Sequence, residues 1–151
     1  RDRSPSRGLG DVYKRQDHPD TAASYNSIGS VYSNMGDYPK ALEFLTKTLN
    51  INEKVLGKDN PSTANSYNNI ASIYNSMGNY SKALELYSKA LNVREKVLGK
   101  DHPDTATSYN GIGSVYAAMG DYTFVSTSQE DSNYVYLLTT GGPAPGLLPD
   151  T

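Results

Sequence analysis

The residues best suited to chemistry in this chain are short amides and hydroxyls that recur on one side of three related segments. In the first two segments they stand at i, i+4 and i+7, and in the third at i and i+4, a spacing that places them on one face of a helix. An asparagine carries both donors and an acceptor, so a row of them can hydrogen-bond the backbone of an extended peptide with little regard to its sequence. The predicted peptide-binding residues are Asn26, Ser30, Ser33, Asn68, Asn69, Ser72, Asn75, Asn110 and Ser114.

A second interpretation of the same residues remains open. The amides can hydrogen-bond each other between neighbouring segments, which would fix the packing without any ligand. The stripe itself contains no lysine or arginine, so it lacks a cationic clamp for a C-terminal carboxylate. If the stripe binds a peptide, we expect selectivity to come from side-chain pockets.

Other residues that suggest chemistry are better explained by helix capping. His18 and His102 occupy one position of the repeat, and Asn60 occupies it in the middle segment. A position that accepts either His or Asn directly before proline is typical of a helix N-cap rather than of a metal ligand or an acid–base group. Asn79 begins a formal glycosylation sequon, but it is also expected to cap a helix. No nucleophile–base or paired-carboxylate constellation recurs, so we expect neither an enzyme nor a bound metal or cofactor.

These residues are positioned by a sequence that repeats every 42 residues. DHPDTAASYNSIGSVYSNMGDY begins at Asp17, DNPSTANSYNNIASIYNSMGNY at Asp59, and DHPDTATSYNGIGSVYAAMGDY at Asp101. A fixed period of this length indicates stacked supersecondary units rather than one globular core. We call residues 17–58 unit 1, residues 59–100 unit 2 and residues 101–122 the partial unit 3.

Each complete unit is predicted to be a pair of helices. In unit 1 the first helix starts near Pro19, shows an apolar stripe and stops at Gly36, because glycine accepts the left-handed backbone at a helix end. Asp37 is expected to cap the second helix, with Glu43 and Lys47 paired outward and an analogous pair at Glu85 and Lys89 in unit 2. The residues expected to face inward are Ala22, Tyr25, Ile28, Gly29, Tyr32 and Met35 in the first helix, and Ala41, Leu42, Leu45, Leu49 and Val55 in the second.

The large and small residues in this pattern resemble the tetratricopeptide repeat, in the 42-residue form found in kinesin light chains. The positions that carry the resemblance are a large residue, a small residue, an aromatic residue and a turn glycine. In order along each unit they are Tyr25, Gly29, Tyr32 and Gly36, then Tyr67, Ala71, Tyr74 and Gly78, and then Tyr109, Gly113, Tyr116 and Gly120. Ala41 and Ala83 match the small position of the second helix, and the REKVLGKDHPDTA linker from Arg94 is the strongest tie to the light-chain form.

This resemblance implies an all-α fold, a right-handed superhelical solenoid of antiparallel helix pairs with about two and a half repeats. It implies a concave groove lined by the first helices, in which a short peptide of a partner protein binds. The family's groove asparagines correspond to Asn26, Asn68 and Asn110 here. HEAT and armadillo repeats are a less favoured alternative, because they do not predict glycine at this turn.

The two ends of the chain depart from the repeat. Residues 1–16 are expected to be a disordered or non-native leader, and residues 123–151 a divergent, mostly irregular tail in which residues 134–140 form either a strand or a short helix. Unit 3 therefore lacks its second helix, and Tyr109, Ile112, Tyr116 and Met119 are expected to be exposed unless the tail covers them. We expect fraying of residues 101–122, or self-association through this edge.

Composition narrows the class of partner. The chain has 151 residues, a net charge of −2 and no cysteine, which argues against nucleic-acid binding and excludes disulfides and thiolate metal sites. No apolar run approaches membrane-spanning length and no signal sequence is evident, so a cytoplasmic protein without membrane contact is expected. The leading hypothesis is an adaptor or scaffold that binds a short extended peptide. The alternative is a structural spacer or self-association segment of a longer array, with no peptide ligand.

Overall fold

Five helices carry the fold in the computed structural model. It describes residues 17–120 and the backbone of two short strands at residues 123–126 and 135–138. The helices are α1 (Pro19–Asn34), α2 (Tyr38–Leu56), α3 (Pro61–Ser76), α4 (Tyr80–Leu98) and α5 (Pro103–Met119). They form the all-α solenoid of stacked helix pairs that the sequence predicts. Residues 1–16, expected to be a leader, and most of the expected tail lie outside the described residues.

The first helices begin at the predicted caps. The Nδ1 atom of His18 accepts a hydrogen bond from the Asp20 amide at 3.1 Å, and His102 repeats this contact with Asp104 at 3.1 Å. Asn60 does the same in unit 2 through its side-chain oxygen, at 2.9 Å from the Ser62 amide. The cap satisfies a backbone donor that has no partner within the helix. The capping interpretation of the two histidines is therefore confirmed.

The second helices also follow the sequence expectation. Asp37 and Asn79 are the N-caps of α2 and α4. The outward pairs are present, with Lys47 2.6 Å from Glu43 and Lys89 2.9 Å from Glu85. Between the two helices of unit 1, Gly36 has a φ of +77°, the left-handed backbone conformation that glycine tolerates best.

The small residue within each first helix allows close packing inside the unit. A Cβ atom added at Gly29 would lie 2.8 Å from Cγ of Leu45, closer than packed carbon atoms approach. Ala71, at the equivalent position of α3, is fully buried. The small positions therefore set how closely the second helix approaches the first, as their place in the repeat predicts.

Neighbouring units share hydrophobic clusters. Leu45 of α2 belongs to one cluster with Ile70 and Ile73 of α3. Tyr87 and Leu91 of α4 belong to another, which includes Tyr109, Ile112 and Val115 of α5. Each unit thus buries the first helix of the next unit against its own second helix.

This packing corrects one sequence expectation for unit 3. Tyr109 and Ile112 are buried rather than exposed, because the side of α5 that carries them packs on α4. Tyr116 is half-buried beside the same cluster, and Met119 is exposed as expected.

Three side chains expected to face inward in unit 1 are exposed. Val55 lies in the last turn of α2, three positions after the buried Asn52, and its counterpart Val97 near the end of α4 is exposed as well. Ile28 is exposed because no described element covers the side of α1 that corresponds to the side of α3 covered by α2. Met35 lies at the end of its helix, where its counterparts Met77 and Met119 are exposed too.

After α5 the chain forms a strand where the repeat would place a second helix. Strand β1 (Thr123–Ser126) pairs in antiparallel fashion with β2 (Val135–Leu138), with Thr123 opposite Leu138. β2 lies beside α5. Of the two conformations left open for residues 134–140, the strand is the one observed over Val135–Leu138.

Candidate functional site

A cavity of about 460 Å³ lies along the side of the solenoid where the three first helices run next to each other. All five helices contribute to it, and most of its lining side chains are small, amide or hydroxyl residues. The lining residues are Pro19, Ala22, Ala23, Asn26, Thr48, Asn52, Leu56, Ser62, Asn65, Ser66, Asn68, Asn69, Arg94 and Thr107. We call this cavity the groove.

Three of the nine predicted site residues line the groove, namely Asn26, Asn68 and Asn69. Asn65 and Thr107, which flank the predicted stripe in the sequence, line it as well. The remaining six lie outside its lining: Ser30, Ser33, Ser72, Asn75, Asn110 and Ser114. The groove is therefore centred on the N-terminal halves of the first helices, whereas the predicted stripe extends towards their C-terminal halves.

Three of the predicted amides take part in hydrogen bonds between neighbouring units. Nδ2 of Asn69 donates to Oδ1 of Asn26 at 3.0 Å, which joins unit 2 to unit 1. Nδ2 of Asn75 donates to Oγ of Ser114 at 3.2 Å, which joins unit 2 to unit 3. The interpretation in which the amides fix the stacking of units expects contacts of this kind. Oδ1 of Asn75 is buried without a partner among the described residues.

The hydroxyls of the stripe are mostly engaged within their own helices. Oγ of Ser30 donates to the backbone oxygen of Asn26 at 2.9 Å, and Oγ of Ser114 donates to that of Gly111 at 2.7 Å. Burial raises the pKa of Tyr87, and a hydrogen bond with Ser72 lowers it in part. Asn110 is exposed and Ser33 is half-buried. Only part of the stripe therefore faces the groove with free hydrogen-bonding capacity.

The residue that sequence reasoning missed is Arg94. It belongs to α4, not to a first helix, yet its side chain is buried and its guanidinium reaches the groove lining. Nη1 donates to Oγ of Ser108 at 2.7 Å and to Oδ1 of Asn68 at 3.3 Å, and Nη2 donates to Oδ1 of Asn65 at 2.6 Å. The groove therefore contains a cation although the stripe has none.

The repeat holds a signal that could have revealed this residue. Arg94 stands 42 positions after Asn52, whose Nδ2 atom donates to Oγ of Ser66 at 2.9 Å. Ser66 and Ser108 are equivalent, so each second helix makes the same contact with the first helix of the next unit. Arg94 also follows Tyr87 by seven and Ala90 by four positions, on the stripe that packs inward. A charged residue on an otherwise apolar, inward-facing stripe indicates that its side chain is buried and hydrogen-bonded.

The surroundings of Arg94 leave its charge only partly compensated. All of its hydrogen-bond acceptors are neutral, and no carboxylate within the described residues lies at ion-pair distance. Its Nε atom is buried with no partner among these residues. Burial lowers the pKa of the guanidinium, an effect that Asp104 opposes. Because arginine stays charged in proteins, a buried cation without a carboxylate is a costly arrangement that an anionic ligand would relieve.

Two negative findings apply to the part of the chain that the structure describes. It contains no group of three or more His, Asp or Glu residues placed to hold a metal ion. None of its helices combines the length and apolar character needed to cross a membrane.

A comparison with protein families identifies the repeats. The family model of the tetratricopeptide repeat matches residues 20–96 and 62–124. The chain belongs to the tetratricopeptide-repeat family. Repeats of this family mediate protein–protein interactions as a class and are typically scaffolds rather than enzymes. No curated protein matches the chain.

Solved structures with the same fold include kinesin light chain-like repeats. The chain is 25% identical to BtubC (BKLC) from P. vanneervenii, with a TM-score of 0.62 and coverage of 68% of this chain and 41% of that one. It is 28% identical to the nearly identical TPR-like repeats of a kinesin light chain-like protein from Podosopora anserina, with TM-scores of 0.60 for a singly substituted variant and 0.59 for the unsubstituted form. The chain covers 50% of the Podosopora chain and 70% of its own length. It therefore spans about half the length of these structures or less.

Proposed function

We propose that this tetratricopeptide-repeat chain binds a short extended segment of a partner protein in the groove. The observation that carries the proposal is the guanidinium of Arg94, which lies in the groove lining among amides and has no carboxylate at ion-pair distance within the described residues. An acidic side chain of the bound segment would provide the missing charge. The arginine would bind it through charge-assisted hydrogen bonds, which are stronger than neutral ones.

The asparagine amides around Arg94 would bind the backbone of the peptide. Asn26, Asn65, Asn68 and Asn69 line the groove together with the cation. A peptide backbone presents alternating donors and acceptors, which amide groups can match along its length. Each such hydrogen bond contributes about 0.5–1.5 kcal/mol net, so several of them and one charge-assisted contact suit a micromolar dissociation constant, about −8 kcal/mol.

A peptide array probed with the purified chain tests this function. The groove variant combines Asn26→Ala and Asn68→Ala, and the matched control combines Asn50→Ala and Asn92→Ala, which remove exposed amides of the second helices outside the groove. We expect discrete peptide hits with acidic residues, retained by the control and lost by an equally helical groove variant. Hits that are indifferent to both sets of substitutions would contradict groove binding.

The spacer function is the second candidate, and a specific observation favours it. The hydrogen bonds Asn69–Asn26 and Asn75–Ser114 occupy amides of the predicted stripe in contacts between units. In a spacer the amides would only stabilise stacking, and the array would give no hits. The groove variant would then lose stability without any change in binding.

We propose in addition that the chain works in the cytoplasm and can self-associate through unit 3. Self-association is supported by the exposed Met119 near the end of α5. Sedimentation equilibrium over a wide concentration range tests it. A Met119→Glu variant should remain monomeric where the unmodified chain dimerises, and a chain that stays monomeric throughout would contradict it.

A further inference from the structure

A second cavity, of about 240 Å³, is formed by the second helices α2 and α4 together with α3. Its apolar lining side chains are Leu49, Ile70, Tyr74 and Leu86, and its charged ones are Lys82 and Glu85. None of its lining residues lines the groove, so the two cavities are separate sites. We call this second cavity the cleft.

The space in the cleft is related to a difference between units 1 and 2. Leu86 stands where unit 1 has Phe44, and Tyr74 is the counterpart of Tyr32. In unit 1 the ring of Phe44 stacks on Tyr32, with centroids 5.7 Å apart and planes 12° from parallel. Leucine is smaller and has no ring, so at the same position of α4 it leaves room beside Tyr74 for another apolar group.

The two units also differ in the charges around the lysine of the cleft. Nζ of Lys82 lies 5.1 Å from the centroid of the Tyr74 ring, and its counterpart Lys40 makes the same type of contact in unit 1 at 5.2 Å. Lys40 also forms an ion pair with Asp37 at 3.4 Å. The counterpart of Asp37 is Asn79, and no carboxylate of the described residues lies at ion-pair distance from Lys82.

The carboxylate that lines the cleft is already paired. Glu85 lies 2.9 Å from Nζ of Lys89, one turn further along α4. The cleft therefore combines an apolar lining with one ammonium group that lacks a carboxylate. An exposed ion pair contributes little by itself, so a ligand of this cleft needs an apolar part as well as an anionic group.

We infer that the cleft binds a small apolar monocarboxylate, with its hydrocarbon part beside Tyr74 and Leu86 and its carboxylate at Lys82. A cavity of about 150 Å³ accommodates benzene, so the volume of the cleft suits a hydrocarbon part of roughly ten carbon atoms. Sites for drug-sized ligands and cofactors measure about 300–1,000 Å³, which disfavours a nucleotide or a larger cofactor.

An NMR titration of the methyl-labelled full chain with 3-phenylpropionate tests the inference. We expect the methyl resonances of Leu49, Ile70 and Leu86 to shift and to saturate with a dissociation constant of about 1 mM, because so small a ligand makes few contacts. The neutral analogue 3-phenylpropionamide has nearly the same shape and should bind about threefold more weakly. Absence of saturable shifts at these methyl groups, or equal affinity for the acid and the amide, would overturn the inference.

Two substitutions taken from unit 1 test the two parts of the cleft separately. Leu86→Phe should fill the space beside Tyr74, so that the Leu49 and Ile70 methyl groups no longer show saturable shifts. Asn79→Asp should give Lys82 the carboxylate that Lys40 has, and thereby remove the preference for the acid over the amide. Retained binding by Leu86→Phe, or a retained preference in Asn79→Asp, would overturn the inference.

Ser88→Thr is the matched control for both substitutions. It also introduces the residue of unit 1, since Thr46 is the counterpart of Ser88, but Ser88 is exposed and lies outside the lining of the cleft. This variant should bind 3-phenylpropionate as the unmodified chain does. Loss of binding in Ser88→Thr would show that any change in α4 disturbs the probe, and would overturn the assignment to the cleft.

The competing site for the probe is the groove, where Arg94 offers another cation. Arg94→Asn should leave the shifts of the cleft methyl groups unchanged. Shifts that disappear in Arg94→Asn would place the probe in the groove and overturn the inference. Because the cleft and the groove share no lining residue, this result does not depend on whether the groove binds a peptide.

Discussion

Asn52 and Arg94 occupy the same position in consecutive repeats, and the difference between them decides whether that position brings a neutral or a charged group to the groove. Both side chains reach the equivalent serine of the next first helix, Ser66 or Ser108. Asn52 also donates to the backbone oxygen of Ser62 at 3.4 Å, whereas the longer arginine also reaches two groove asparagines. The same scaffold contact therefore places a neutral amide in one unit and a cation in the next.

Replacing Arg94 with asparagine tests whether the cation is kept for binding or for stability. Because Asn52 forms the corresponding serine contact, we expect Asn at this position to contact Ser108 and to leave the fold intact. Loss of a buried, incompletely compensated charge offsets the lost hydrogen bonds, so the thermal midpoint of Arg94→Asn should change by less than about 5 °C. A much larger fall in the thermal midpoint would indicate that Arg94 mainly stabilises the contact between units 2 and 3.

The raised pKa of Tyr67 predicts that the protein loses stability at alkaline pH. The hydroxyl of Tyr67 donates to Glu53 of the preceding unit, and burial, aided by this carboxylate, raises its pKa from 10.0 to about 12. A group whose pKa is higher in the folded state contributes stability below its unfolded pKa, and this contribution is lost as the pH rises from about 10 to about 12. We expect urea denaturation between about pH 9 and 11.5 to show a steeper decline for the unmodified chain than for Tyr67→Phe.

Comparison of the unmodified chain with Tyr67→Phe also shows which result would contradict this prediction. The Tyr67→Phe variant cannot ionise at this position, so it serves as the control for other alkaline effects on the chain. Parallel declines would mean that the Tyr67–Glu53 contact does not link stability to pH.

At the scale of elements, the approach of α4 to α5 depends on a glycine. A Cβ atom added at Gly111 would lie 2.3–2.7 Å from three atoms of the buried Tyr87 ring. The clash should outweigh the helix propensity that alanine gains over glycine, about 1 kcal/mol. We expect Gly111→Ala to destabilise the chain by about 1–3 kcal/mol in urea denaturation.

Ser27 is the matched control for this substitution. It occupies the equivalent position of α1, two units earlier, and is exposed. Ser27→Ala should therefore be neutral or slightly stabilising. A neutral Gly111→Ala would show that Tyr87 can move aside and that the glycine does not set the spacing between α4 and α5.

Helices, caps and turns could be predicted from the sequence because local residues determine them. Pro19, Gly36 and the His18 cap each act within one or two turns of the chain, and the repeat shows each of them more than once. The exposure of α1 and the burial of Tyr109 could not be predicted in the same way. They depend on which neighbouring unit is present, not on the residue itself.

The groove could be predicted only in part, because its lining also depends on how neighbouring helices pack. Helical spacing correctly places Asn26 and Asn68 on the groove side of their helices, but it does not show which polar groups pair with each other. Spacing also describes one helix at a time. Arg94 enters the groove from a different helix, so the stripe alone gave no sign of it.

At the scale of the whole molecule, protection should follow the number of neighbours. Unit 2 is flanked on both sides, whereas α1 has no preceding unit among the described residues. The described elements that α5 contacts are α3, α4 and the strand β2. In an array of this kind, stability derives from each unit and its nearest-neighbour interfaces. Hydrogen exchange should therefore be slowest in α3 and α4 and faster in α1 and α5. Equal protection of α5 and α3 in a monomer would contradict the predicted fraying of unit 3.

The most direct test of the proposed function is a fluorescence anisotropy titration of the best array peptide with the unmodified chain and with Arg94→Asn. We expect the unmodified chain to bind with a micromolar dissociation constant, and the variant to bind at least about tenfold more weakly, a loss of about 1.4 kcal/mol. A matched peptide with its acidic residue changed to the amide should lose affinity for the unmodified chain and not for the variant. Equal affinities of both proteins for both peptides would contradict recognition through Arg94 in the groove.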